Sequence, residues 1–217
     1  MSRLIDEIKK YQEGFKQKVP TQTQEIMLKA TDALKNASIS KNALKEGDIA
    51  KNFTLKNAKD EFVSTEKLLE ENNFLVINFY RGLWCPYCNL ELKALQGINS
   101  ELKELNAKLV AVSPQTPDAS LSTKEKNELE FEVLSDTNNL IAKEYGLVFS
   151  LAQELRPIYE SFGIDIVGLN QEDSYELPMP ATYVINKKGE VIYSFIDEDY
   201  TKRSEPQTIL DIIRKNS

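Results

Sequence analysis

The apolar run Phe74-Leu75-Val76-Ile77-Asn78-Phe79-Tyr80, followed after a short link by Cys85-Pro86-Tyr87-Cys88, constrains this chain more than any other feature. A near-continuous apolar run of this length has the pattern of a strand buried on both faces. Pro86 suits the first turn of a helix. A strand ending at Tyr80 and a helix opening at Pro86 place Cys85 beside a helix N-terminus, where unpaired N–H groups and the helix dipole favour negative charge. The thiolate is the reactive form of cysteine, and such placement lowers its pKa. Cys85 and Cys88 are the only cysteines in the chain, so the pair reads as redox-active.

The dipole alone does not suffice. Lowering a thiol from about 8.5 to about 6.5 takes roughly 2.7 kcal/mol, whereas a helix terminus typically contributes roughly 0.3–1 kcal/mol. The Cys88 S–H, backbone donors or a cation such as Arg81 must supply the rest. Histidine cannot, because the chain has none. Cys-His and Ser-His catalysis and His-ligated zinc are excluded for the same reason. A thiolate-only zinc site needs four cysteines per chain or two chains sharing one metal, so no metal is expected, and no cofactor either.

At 217 residues the chain fits one domain plus an appendage. Its net charge of −7 argues against nucleic acid and anionic membranes as partners. No apolar run approaches the roughly 18 residues that span a bilayer, and the start lacks a secretory h-region. The expected compartment is the cytoplasm, where a two-apart cysteine pair is catalytic or redox-sensing rather than a structural disulfide.

Residues 1–44 read as an N-terminal helical extension, with Leu4, Ile8, Tyr11 and Phe15 at helical spacing. Pro20 interrupts, and Thr21 with Gln24 is a candidate capping box. The extension either packs on the core as an amphipathic pair or serves as an arm for a homodimer or another partner. Residues 45–217 form the main domain. A hairpin is expected around Asn57-Ala58-Lys59-Asp60. Leu92, Leu95, Ile98, Leu102 and Leu105 mark one face of a helix, and Lys108 to Val112 a second buried strand, giving a right-handed crossover. Phe131 to Leu134 is a short strand and Asn138 to Tyr145 a short helix. Residues 146–177 have no clean period and read as an insertion covering part of the sheet or the site. Ala181 to Ile185 and Val191 to Phe195 form a hairpin, and Pro206 opens a last helix.

This order resembles the thioredoxin-like fold, an α/β architecture with a central mixed sheet flanked by helices. Residues from about 45 onward resemble, more narrowly, the peroxiredoxin-like proteins of the alkyl hydroperoxide reductase and thiol-specific antioxidant family. The matching runs include Glu46-Gly47-Asp48, Phe79-Tyr80-Arg81-Gly82-Leu83-Trp84-Cys85-Pro86-Tyr87-Cys88, Val112-Ser113-Pro114, Leu134-Ser135-Asp136 and Pro180-Ala181-Thr182-Tyr183. The chain departs from the family at three positions. Asn78 and Gly82 stand where a proline and a threonine are usual, and Pro180 stands where the family has arginine. A proline at that last position is the thioredoxin pattern, typically cis and facing the cysteines.

The resemblance implies a thiol-dependent peroxidase acting on hydrogen peroxide or organic hydroperoxides. Cys85 would form a sulfenic acid, Cys88 would resolve it to a disulfide, and thioredoxin or a glutaredoxin-type dithiol would restore both. Arg81 is the expected thiolate or substrate partner, with Arg203 a further cation. Trp84, Pro86, Tyr87 and Pro180 are the expected site walls. Pro180 and the Cys-Pro-Tyr-Cys string, which glutaredoxins also use, equally suit a protein thiol–disulfide oxidoreductase without peroxide specificity. A redox sensor is the third reading.

Overall fold

The computed structural model describes residues 3–217. Two helices open it, α1 (Leu4–Lys18) and α2 (Thr21–Ala37), separated at Pro20. The expected capping box does not form. Pro20 is itself the N-cap of α2, so Thr21 already lies inside the helix. Gln24 instead donates from Nε2 to the carbonyls of Lys16 (3.0 Å) and Val19 (2.7 Å), closing the corner between the helices. The far end of the hairpin is tied down by the acidic turn Asp197-Glu198-Asp199. Glu198 accepts from the Ser40 N–H at 3.0 Å, and Lys35 meets Asp199 at 3.3 Å.

The main domain follows with β1 (Thr54–Asn57), β2 (Phe62–Ser64), α3 (Thr65–Glu71), β3 (Phe74–Phe79), α4 (Pro86–Gly97), α5 (Asn99–Glu104), β4 (Ala107–Ser113), α6 (Pro117–Lys126) and β5 (Glu132–Ser135). Then come α7 (Leu140–Glu144), β6 (Val148–Ser150), α8 (Arg156–Ser161), α9 (Ile166–Asn170), β7 (Glu176–Pro178), β8 (Ala181–Asn186), β9 (Val191–Ile196) and α10 (Pro206–Asn216). One sheet runs in the order β2-β1-β5-β4-β3-β8-β9, with β6 and β7 a separate ribbon. β3, β4 and β5 are parallel, while β1, β8 and β9 run antiparallel to their neighbours.

The interior strand β3 is buried along its whole length, as its apolar run requires. Its alternation serves two cores. Leu75, Ile77 and Phe79 face one, with Val110, Tyr145 and Tyr183. Val76 and Tyr80 face the other, with Leu92, Leu109, Ile209 and the two cysteines. Leu4 and Ile8 of α1 are buried in that second core, so the first helix packs on the cysteine side of the sheet.

The single helix expected from Leu92 to Leu105 is two helices. The break falls at Ile98 (φ −106°, ψ 1°), directly after Gly97. Glycine is a weak helix former, and Leu95, Ile98 and Leu102 all stay buried across the bend. Residues 146–177 fold into the β6–β7 ribbon and the short helices α8 and α9. They carry a small core of their own around Leu151, Leu155, Tyr159, Ile166 and Leu177.

Candidate active site

The link from β3 to α4 has a backbone shape that its residues dictate. Gly82 has φ +150°, and a Cβ there would meet Trp84 Nε1 at 2.5 Å. The position that carries threonine in the family therefore needs glycine here, because Trp84 folds back over it. Gln115 Oε1 accepts from the Leu83 N–H at 2.7 Å, and Asn89 Nδ2 donates to the Leu83 carbonyl at 2.7 Å. Cys85 is then the N-cap of α4 with Pro86 as its first residue, which is the expected placement. The Cys85 N–H closes a turn to the Gly82 carbonyl at 3.0 Å.

Both cysteines are reduced and buried, and the Cys88 thiol donates to Cys85 Sγ at 2.7 Å. Cys85 is only 1% exposed. Burial alone would raise its pKa. The Cys88 S–H bond and the charges of Arg81 and Arg203 overcome that and bring it down to about 6. Cys88 moves the opposite way, raised first by burial and then by the sulfur beside it.

Arg81 sits at the end of β3 and is buried. It donates to the Tyr159 hydroxyl, and its guanidinium carbon lies 4.7 Å from the Trp84 ring centre and 4.5 Å from that of Tyr200. Such stacking is a favourable setting for a desolvated guanidinium. Arg81 Nε makes no hydrogen bond to protein. Arg203 approaches from the other side. Its Nη2 donates to Cys88 Sγ at 3.4 Å, and its Nε is in ion-pair contact with Glu91 at 2.6 Å.

Glu91 extends this polar layer into the sheet. Its Oε1 accepts from the Thr182 hydroxyl at 3.3 Å, and that hydroxyl accepts from Asn78 Nδ2 at 3.1 Å. Burial raises the Glu91 pKa to about 7, against the opposing pull of Arg203. The sequence reading did not single out Glu91 or Thr182 as site residues. The signal was a carboxylate on the buried face of α4, between Cys88 and Leu92.

A groove of about 690 Å³ leads to Cys85, with Arg81, Trp84, Pro86 and Tyr87 among its walls. Tyr11 from α1 and Tyr159 from α8 also line it, and neither was foreseen. Pro180 does not line it, and the peptide before it is trans. The reason lies in the backbone. The Met179 N–H bonds to the Leu147 carbonyl at 2.8 Å, and only Met179 and Pro180 separate β7 from β8. There is no tight turn, the usual setting of a cis proline. Pro180 is a buried connector between the two strands.

The model of the AhpC/TSA family matches residues 47–194. The putative peroxiredoxin bcp of Haemophilus influenzae is 32% identical over 106 residues, which are 49% of this chain and 67% of the relative. The thiol-disulfide oxidoreductase ResA of Halalkalibacterium halodurans is 24% identical over 158 residues, 72% of each chain. Among solved structures, the peroxidoxin BcpB from Mycobacterium tuberculosis superposes with a TM-score of 0.63 at 18% identity, covering 80% of this chain and 99% of the other. A peroxiredoxin-like protein from Aquifex aeolicus gives 0.61 at 17% identity, covering 80% and 88%. At such identities the structural likeness speaks for the fold. α1, α2, Tyr200 and Arg203 all lie outside the matched stretch.

Proposed function

The chain belongs to the AhpC/TSA family, and from that premise we propose a thiol-dependent peroxidase in which Cys85 attacks and Cys88 resolves. The observation that carries the assignment is the setting of Cys85. It caps a helix, and against the effect of burial the Cys88 S–H bond and the charges of Arg81 and Arg203 bring its pKa down to about 6. The thiolate is therefore the main form at neutral pH.

The steps follow from that charge arrangement. A lone pair of the Cys85 thiolate attacks the terminal oxygen of ROOH, the O–O bond breaks, and the departing RO⁻ takes up a proton to leave as ROH. Cys85 becomes a sulfenic acid. The free Nε–H of Arg81 is the donor suited to the oxygen on which charge develops. Cys88 then gives up its proton and attacks Cys85 Sγ, expelling hydroxide, which leaves as water. An external dithiol reduces the disulfide and is itself oxidised. The substrates are thus a peroxide and a thiol reductant, and we assign the latter to the thioredoxin or glutaredoxin type. A reducing compartment such as the cytoplasm suits the pair. Among the described residues no helix is long and apolar enough to cross a membrane.

Thiol–disulfide exchange with protein substrates fits less well. The cis proline that such an enzyme would set against its cysteine pair is missing at Pro180, where the preceding peptide is trans.

The test is a pair of variants. Cys85→Ser should abolish peroxide turnover. Cys88→Ser should consume one equivalent of peroxide per chain and accumulate a sulfenic acid that dimedone traps. Equal and mild losses in the two variants would overturn the assigned roles.

A further inference from the structure

The two buried arginines stand on different sides of the cysteine pair. Arg81 and Cys85 both line the groove, whereas Arg203 and Cys88 do not. Arg203 meets the second sulfur instead, its Nη2 donating to Cys88 Sγ at 3.4 Å.

The Arg203 guanidinium is fixed by several partners at once. Its Nη1 donates to the carbonyls of Tyr200 and Lys202, the latter at 2.8 Å, and its Nε is in ion-pair contact with Glu91 Oε2 at 2.6 Å. The side chains of this ion pair are 1% and 2% exposed. A pair buried so deeply is weak evidence for stability, because desolvation offsets its attraction. It calls for another reason. The loop that carries Arg203 is clamped too. Glu198 and Asp199 hold the region where α2 ends, and Glu205 accepts from the Leu4 and Ile5 N–H groups of α1 at 3.3 and 2.8 Å.

The charge around Cys88 changes during the proposed cycle. In the reduced chain, burial and the Cys85 sulfur both hold the Cys88 proton in place. Attack on the peroxide turns that sulfur into a neutral sulfenic acid, so its opposition ends. Burial still disfavours a Cys88 thiolate. The Arg203 charge, helped by the Arg81 backbone N–H, acts against it. A hydrogen bond from a charged donor is roughly twice as strong as a neutral one.

We propose that Arg203 is the catalytic residue of the resolving step, its guanidinium stabilising the Cys88 thiolate that attacks Cys85 Sγ. This rests on the thiol-peroxidase reading of Cys85. Cys88 releases its proton and a sulfur lone pair forms the S–S bond. The S–O bond of the sulfenic acid breaks, and the departing hydroxide combines with a proton as water. Cys88 is oxidised and the sulfenic sulfur is reduced, each by one electron. When the external dithiol later attacks Cys85 Sγ, Cys88 departs as a thiolate beside the same guanidinium. Arg203 lies beyond residues 47–194, so the device is outside the stretch that the family model matches.

The experiment uses the full chain, hydrogen peroxide and stopped-flow fluorescence of Trp84, at pH 8.5. With a pKa of about 6, Cys85 stays ionised there even after a rise of about one unit. Arg203→Gln should slow the resolving phase roughly tenfold, part of the lost ionisation being offset by the greater nucleophilicity of a more basic thiolate. The peroxide phase should slow by less than about threefold, since Cys85 remains the thiolate. The double variant Arg203→Gln with Glu91→Gln leaves no buried carboxylate without its cation, and it should show the same slow resolving phase. Equal slowing of both phases, or an unchanged resolving phase in either variant, would overturn the assignment. A wild-type peroxide phase no faster than that of a small thiol would instead refute the peroxidase reading. Reduction of the diamide-oxidised chain by dithiothreitol then judges Arg203 separately, because Cys88 is the leaving group. Slowing there by roughly tenfold in Arg203→Gln would sustain its action on Cys88, and an unchanged rate would overturn it.

Discussion

Arg81 donates a hydrogen bond to the hydroxyl of Tyr159, a residue 78 positions further along the chain. The contact joins the end of the central strand to a helix of the irregular segment 146–177. It ties that segment to a buried cation whose charge lowers the Cys85 pKa. A desolvated guanidinium is costly unless its environment fixes and compensates it. Tyr159, Trp84 and Tyr200 do so together.

Tyr159 is accordingly a positioning residue. Tyr159→Phe keeps the ring that packs edge-on against Trp84 at 5.5 Å but removes the oxygen that accepts from Arg81. The Cys85 pKa should rise. The rate of alkylation by iodoacetamide should drop roughly fivefold near pH 6, the effect of about one pKa unit at the wild-type midpoint, and much less near pH 8.5. A purely structural role would leave the midpoint of the pH–rate curve where it is in the wild-type chain.

Stability should carry the same signature through linkage. The folded-state pKa of Cys85 is depressed to about 6, below the roughly 8.5 of an unfolded thiol. Its contribution is therefore fully present above the unfolded value and lost as pH falls through the folded one. Glu91 has the opposite sign, since its folded pKa is raised to about 7. Its contribution is complete below the unfolded carboxylate value and lost as pH rises through about 7. The reduced chain should thus gain stability between about pH 7 and 8.5, by on the order of 2 kcal/mol. In Cys85→Ser that gain should vanish. Urea titrations at the two pH values measure it, and an equal gain in both chains would contradict the linkage.

The sequence made some of this site legible and hid the rest for physical reasons. The strand β3 and the start of α4 follow from a local apolar run and a proline at the first helical position. The need for help beyond the helix dipole followed from its shortfall, with the Cys88 S–H, backbone donors or a cation as its sources, and the Cys88 S–H bond, Arg81 and Arg203 all lower the Cys85 pKa. Asn78 was visible as a departure from the family, and its partner Thr182 lies directly opposite on β8. Tyr159 was hidden, because α8 is only six residues long and shows no period of its own. Its place is set by tertiary contacts with Leu151, Leu155, Ile166 and Leu177. The cis proline was expected by analogy, yet the peptide before Pro180, in the two-residue link from β7 to β8, is trans. The groove could not be read locally at all, since α1 and the segment from Arg81 to Leu90 form its main walls and residues from Tyr159 to Ile164 and Tyr200 complete it.

The most direct test of the central claim is the rate at which peroxide oxidises Cys85, read from Trp84, the only tryptophan and the immediate sequence neighbour of that sulfur. The reduced chain, mixed with excess peroxide in a stopped-flow instrument, should show a fast fluorescence change whose rate is first order in peroxide. A slower change should follow as Cys88 closes the disulfide, and it should be missing in Cys88→Ser. The expected second-order constant exceeds that of a small thiol, corrected for its thiolate fraction, by orders of magnitude. A corrected rate equal to that of the small thiol would contradict the account, because the charges around Cys85 would then make a thiolate without making a peroxidase.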